Sequence, residues 1–257
     1  MTPRGGPANP VAAGAYWLGG RQAVQAAMGR GRVRRLVVAE GATGLDALCV
    51  AASAAGIPAV RASRAEVDRL AGTDAQGCVA MVDPILPVDL ETRLAQLPGE
   101  RGALLVACDH VQDPHNLGAI ARTAEAVGAA GLIIPAHRAA GLSAGAERAA
   151  AGALQSLPCI VVHNLTWALD RCRNAGFWTY GAALDGAVDF TQAGFAARTV
   201  LVVGAEGRGL SPLVRRHCDA LVRLPMRGTV QSLNAAVAAG ILMYEWVRHT
   251  AVAGRAH

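Results

Sequence analysis

The rhythm of apolar and polar positions divides this chain in two. From about Leu18 to Val82 helical spacing alternates with short β-branched runs. The order is helix ("GGRQAVQAAM"), strand ("VRRLVVA"), helix ("GLDALCVAASAAG"), strand ("IPAVRA"), helix ("SRAEVDRLAG") and strand ("GCVAMVD"). This predicts a small α/β domain over 15–83 with short connections, preceded by a Pro/Gly-rich tail at 1–14. The next stretch, 84–100, carries three prolines and a weak helix and reads as a linker.

A second α/β series occupies 101–257. "ALLVACDH" is nearly all apolar, as a strand covered on both faces requires. Further strands are predicted at "GLIIP", "PCIVVHN", "FWTYGAAL", "TVLVVGAEG" and "ALVRLP", with helices at "HNLGAIARTAEAVGA", "LTWALDRCRNAG" and "SLNAAVAAGILMYEWVRH". In the first of these helices Ile120, Ala121, Ala124 and Val127 recur at helical spacing. Arg122 falls inside that stripe, and Asn116-Leu117-Gly118 stand where the chain turns into the helix. A buried helix has no packing use for such an entry.

Composition narrows the classes. At 53% hydrophobic residues the 257-residue chain is not disordered, and no apolar run reaches a membrane span. The N-terminus lacks the apolar core of a signal peptide, so a cytoplasmic protein is expected. Six scattered cysteines (Cys49, Cys78, Cys108, Cys159, Cys172, Cys218) form no CxxC pair, and the histidines show no metal-ligand spacing. Neither a disulfide framework nor a metal is expected. The histidines read as structural or solvent-facing, with His115, beside Asn116, as the exception. All 24 basic residues are arginine, which removes any lysine base or P-loop lysine. The net charge of +5 suits a polyanionic partner. Arg21, Arg30, Arg32, Arg34 and Arg35 precede the first acid, Glu40; they form either an RNA-contacting patch or a solvated face.

Three clusters follow strands of the second series, where open α/β sheets place their ligands. They are 113–122, the glycine-rich "VVGAEGRGLSP" at 202–212 around Glu206, and "LPMRGTVQSLN" at 224–234 before the last helix. Gly204, Gly207 and Gly209 permit close backbone approach or positive φ. Ser232 or Asn234 can cap the last helix, and Arg122 can clamp a phosphate. Each alone reads equally as a tight turn, a cap or a surface ion pair; three together at the ends of one sheet's strands point to a site. No GxGxxG follows a strand, and Walker A, HExxH and GxSxG are missing.

In this order the clusters resemble the SpoU (TrmH-type) branch of the SPOUT RNA methyltransferases. "NLGxxxRTA" is matched by Asn116, Leu117, Gly118, Arg122, Thr123 and Ala124. "VxGxExxGL" is matched by Val202, Gly204, Glu206, Gly209 and Leu210. "PMxGxxxSLNV" is matched by Pro225, Met226, Gly228, Ser232, Leu233 and Asn234, with Ala235 in place of the usual valine. The resemblance covers about 103–250, and the segment beginning "LGGRQAVQAAMGRG" looks like an L30e-like substrate-binding domain.

The resemblance implies an α/β trefoil-knot catalytic domain, a topology that general folding rules disfavour. It also implies a homodimer, S-adenosylmethionine as methyl donor, and a 2′-O-methylated ribose in RNA. The closest branch methylates a guanosine in 23S rRNA; tRNA-modifying and antibiotic-resistance members share the same motifs. Gly204, Glu206, Leu224, Met226, Ser232 and Leu233 are then expected at the cofactor, and Arg122, Asn116, Glu206 and Asn234 at the reaction. A guanidinium with pKa above about 12 is a poor base. Arg122 is therefore expected to hold a phosphate and favour the developing alkoxide, while a phosphate oxygen or water takes the proton. Asn116 would orient Arg122 or the ribose, and Glu206 would fix the arginine or meet the substrate. The rivals are a non-catalytic RNA-binding protein and a small-molecule nucleotide enzyme.

Overall fold

The computed structural model describes residues 14–72, 75–97, 99, 102–185 and 188–253, and of 251–253 only the backbone. The tail expected at 1–14 therefore lies outside it except for Gly14. The chain divides into two compact units between Ile85 and Leu86.

In the first unit a four-stranded sheet has the order β1 (Tyr16–Gly19), β4 (Cys78–Val82), β2 (Val33–Ala39), β3 (Ala59–Ala62). Strand β4 runs antiparallel to both neighbours, while β2 and β3 are parallel. Helices α1 (Arg21–Gly29), α2 (Asp46–Ala54) and α3 (Arg64–Ala71) join the strands. Val37, Ala39, Val67 and Val79 form a core closed by Trp17 and Leu70. Strand β1 had no counterpart in the predicted elements, because its residues lie between the Pro/Gly-rich tail and Gly19-Gly20.

The second unit is built on a seven-stranded, all-parallel sheet. Its order is β7 (Cys159–Val162), β6 (Gly131–Pro135), β5 (Ala103–Asp109), β10 (Arg198–Gly204), β8 (Trp178–Ala182), β11 (Ala220–Arg223), β9 (Val188–Asp189). Both faces of β5 are covered, as its unbroken apolar run required. Ala103, Leu105 and Ala107 pack with α4 (Leu90–Gln96), α7 (Leu165–Asn174) and α8 (Pro212–His217). The alternate residues Leu104, Val106 and Cys108 face the side held by α5 (Pro114–Ala126) and α9 (Ala235–Ala253). Helix α4 lies in the stretch read as a linker, and it buries Leu90 and Leu94 in this core.

Helix α5 begins earlier than its hydrophobic pattern suggested. Asp113 caps it by accepting from the His115 amide (2.9 Å), and Pro114 fills the first helical position. Asn116-Leu117-Gly118 thus lie at the mouth of the helix, in and just after its first turn. Gly118 serves packing against α6 (Ala144–Ala149): a Cβ there would lie 2.5 Å from the Ala146 carbonyl oxygen. Arg122 leaves the apolar stripe and is exposed, because the buried face runs through Leu117, Ile120, Ala121 and Ala124.

All six cysteines are free thiols, and burial pushes Cys108, Cys159, Cys172 and Cys218 up to about 12. Glu147 on α6 is 1% exposed. Burial pushes its carboxyl from 4.5 up to about 7, against the opposing hydrogen bond from Gln155 Nε2 at 2.7 Å. The stability this group contributes is full below pH 4.5 and is lost as the pH rises through about 7. Glu147→Gln keeps an acceptor for Gln155. It should raise the unfolding free energy near pH 8 by about 2–3 kcal/mol and leave it nearly unchanged near pH 4.5, as read from urea denaturation.

Candidate active site

Strand order reverses between β5 and β10. From β5 the chain runs outward through β6 and β7, crosses to β8, and only then inserts β10 beside β5. Such a switch point opens a crevice beyond the carboxyl ends of the strands. Here the two ends are level, with Asp109 opposite Gly204 in a register unbroken from Ala103 and Arg198.

Three polar side chains from the three sequence clusters meet beyond that edge. Asn116 on α5, 8% exposed, donates through Nδ2 to Glu206 Oε2 (3.2 Å). Asn234 Nδ2 donates to Asn116 Oδ1 (2.7 Å) and, at 3.5 Å, to Glu206 Oε2. Asn234 Oδ1 accepts from the amides of Ala236 (2.9 Å) and Val237 (3.3 Å), which makes Asn234 the cap of α9. Ser232, the other candidate cap, lies before the helix. Gly204 owes its lack of a side chain to the chain itself: a Cβ would fall 2.2 Å from the Gly209 carbonyl carbon, where the 205–209 turn folds back. Gly207 and Gly209 both take positive φ in that turn.

A cavity of about 200 Å³ adjoins this cluster, and its walls include all six residues expected at a cofactor: Gly204, Glu206, Leu224, Met226, Ser232 and Leu233. The prediction had missed Asp185 and Arg215, which also line it and pair at 2.9 Å. The Arg215 guanidinium holds the Asp185 carboxyl below the usual carboxylate range. They lie on different elements, and no local pattern links them.

Arg122 stands apart. It makes no hydrogen bond or ion pair among the described residues, so neither Asn116 nor Glu206 orients it here. His115 lines a shallow apolar groove between α5 and α9. In the first unit, Arg32 is committed to structure through the Asp83 carbonyl (2.8 Å from Nε) and Tyr16 Oη (3.1 Å). Arg34 pairs with the Asp83 carboxylate at 2.5 Å, and Arg21 Nε donates to the Gln76 carbonyl (3.2 Å). Arg30 is exposed and Arg35 half-buried. No cluster of His, Cys, Asp or Glu among the described residues could hold a metal ion.

The motif residues that meet at this crevice define a methylase of the SpoU type. The SpoU rRNA methylase family model matches residues 103–244, and a model of RNA 2′-O ribose methyltransferase substrate binding matches 17–87. The chain belongs to this family. It is 41% identical over 221 residues to the 23S rRNA (guanosine-2′-O-)-methyltransferase RlmB of Pseudomonas aeruginosa, covering 84% of this chain and 89% of that protein. Among solved structures it resembles the SpoU methyltransferase AviRb from Streptomyces viridochromogenes in complex with AdoMet. There the TM-score is 0.77 at 29% identity, with 93% and 92% of the two chains covered. An AdoMet-bound rRNA methyltransferase from Sinorhizobium meliloti matches with TM-score 0.74 at 28% identity, over 91% and 87%.

Asn234→Ala should lower stability by about 1–2 kcal/mol in chemical denaturation, since it removes both a helix cap and the bond to Asn116. Asn234→Ser should recover only the capping share.

Proposed function

We propose that this chain is an S-adenosylmethionine-dependent RNA ribose 2′-O-methyltransferase whose substrate is a guanosine of 23S rRNA. The observation that carries this reading is the meeting of Asn116, Glu206 and Asn234 beside a cavity walled by the predicted cofactor residues. The relative named for a 23S rRNA guanosine supports the choice of rRNA over tRNA. A cytoplasmic site of action accords with this substrate; no described helix is long and apolar enough to cross a membrane.

The cavity suits the cofactor chemically. Leu210, Val222, Leu224 and Leu242 offer apolar walls to a flat base, and the 204–209 turn offers backbone polar groups. Glu206 complements the cationic groups of the cofactor, while Asp185 is already neutralised by Arg215. When bound, the cofactor would supply an electrophilic methyl group on a sulfonium, and the neutral thioether would leave without acid catalysis. The protein's task is then to align the ribose hydroxyl and favour its loss of a proton. Arg122, exposed and unengaged, has its whole donor fork available to an RNA phosphate beside the target ribose.

We also infer a homodimer and a trefoil knot. Val237 (51% exposed), Ile241 (38%) and Tyr244 (57%) form an apolar stripe along α9 that borders Ala119 and Thr123 of α5. A second copy of the same face is the proposed cover. The late insertion of β10 between β5 and β8 supports a threaded path.

Labelled methyl should pass from S-adenosylmethionine to unmodified 23S rRNA and map to one guanosine ribose. Arg122→Ala should slow single-turnover transfer at saturating RNA and cofactor by about 100-fold or more. Transfer to tRNA alone would move the protein to another branch, and no cofactor binding would leave an RNA-binding protein. Ile241→Asp should convert the dimer to a folded monomer in light scattering; an unchanged mass would overturn the proposed interface.

A further inference from the structure

A second cavity adjoins the cofactor cavity. This cleft of about 550 Å³ lies between the turn after β5 and the 205–210 turn. Ala205, Glu206, Arg208, Gly209 and Leu210 line both spaces, so the 205–210 turn is their common wall. Asn116, which donates to Glu206 at 3.2 Å, opens onto the cleft as well. A nucleoside whose ribose stands at this cluster must send its base into a neighbouring space. The α5–α9 groove also borders Asn116, but it is apolar and suits the second copy. The cleft instead carries His110, Gln112, Asp113 and Arg208. Arg208 is exposed and makes no hydrogen bond or ion pair among the described residues. Asp113 spends Oδ1 on the His115 amide (2.9 Å), which leaves Oδ2 as an acceptor. His110 takes φ +59°, uncommon for a residue with a side chain. Its Nδ1 donates to Asp109 Oδ1 at 2.6 Å, and Asp109 Oδ2 accepts the Ser211 amide at 2.6 Å. The imidazole is thereby held as a fixed flat face at the cleft.

We propose that this cleft receives the base of the target nucleotide, and that Arg208 and Asp113 select guanine there. This rests on the methyltransferase reading above and deepens it. Guanine O6 and N7 are both acceptors and match the parallel donors of a guanidinium. Its N1–H and N2 amino group are both donors and match the Asp113 carboxylate. The two side chains come from the two turns that bound the cleft, so they can meet different edges of one base. Adenine reverses both contacts. Its N6 amino group would face the Arg208 donors, and its N1 lone pair would face the carboxylate. The same two residues therefore attract one purine and repel the other. The His110 ring offers a stacking face, which holds a base without telling purines apart. Entry requires the nucleotide to leave its stack, as looped or single-stranded RNA permits.

The test is single-turnover methyl transfer to a synthetic 23S rRNA fragment spanning the mapped guanosine. The same fragment is also made with adenosine or inosine at that position, and the guanosine-to-adenosine ratio of efficiencies is read. Wild-type protein should favour guanosine by about 100-fold or more. Inosine, which lacks only the N2 amino group, should fall between the two. Asp113→Asn keeps a side-chain cap for α5 and gives adenine N1 a donor. It should lower the ratio by about 10-fold or more. Arg208→Met keeps the length of the side chain without its donors and should lower the ratio by a similar factor. His110→Asn, whose side chain tolerates left-handed φ, should slow both RNAs alike, by about 10-fold. A defect of folding or of cofactor binding slows both RNAs equally, so a changed ratio reports recognition of the base. An unchanged ratio in both Asp113→Asn and Arg208→Met would overturn the proposal. So would wild-type protein that methylates the adenosine fragment as fast as the guanosine one. A wild-type protein that binds cofactor but methylates neither the fragment nor intact 23S rRNA would instead overturn the reading on which the proposal rests.

Discussion

The parallel pairing of β5 with β10 is the constraint on which the rest of the second unit depends. Its register holds over seven residues from Ala103 and Arg198 to Asp109 and Gly204, so the two strands end level. Glu206 leaves the sheet within two residues of that edge, Asn116 lies in the first turn of the helix that follows β5, and Asn234 caps the helix packed behind it. Because β10 enters after β8 is already placed, the turn after Gly204 must lie at the strand-order switch, and there it meets the start of α5. The close approach of Gly204 to Gly209 follows from the same crowding: with a side chain at 204 the turn could not fold back over the strand.

Polar satisfaction then ties the loops together. A nearly buried amide at Asn116 must find partners or destabilise the fold by about 1–3 kcal/mol. It finds them on Glu206 and Asn234, which belong to the two other loops. Asn234 in turn stands on the backbone amides that open α9. The cluster orders the loops around the cavity and leaves methyl transfer to groups that are not consumed by structure. Arg122, exposed and without a hydrogen bond or ion pair among the described residues, is not consumed in this way. Arg32 and Arg34 in the first unit show the opposite case, since Asp83 and Tyr16 take up their donors.

Much of this was legible along the chain. The span of β2 and the extent of β5 as a fully covered strand followed from apolar runs. The three loops followed from glycine, asparagine and arginine in fixed spacing. What was illegible had one cause in each case. Strand β1 is hidden between the Pro/Gly-rich tail and Gly19-Gly20, helix α6 is too short to show periodicity, and α4 looked like a connection because prolines surround it. The start of α5 falls at Pro114, one residue before the predicted helix, because Asp113 and Pro114 set its N-terminus.

By itself the sequence determined the two α/β series, the family motifs and the residues that wall the cavity, since each rests on local spacing or on residue type. Only the tertiary structure decided what those residues touch. It turned Asn116 inward and Arg122 outward on one helix, because three- and four-residue steps around a helix sort neighbours onto different faces. It brought Arg215 to Asp185 and Ser211 to Asp109, pairs that no local rule connects. Above all it gave His110 a left-handed turn against a buried carboxylate, and the orientation of an imidazole is a property of the fold around it.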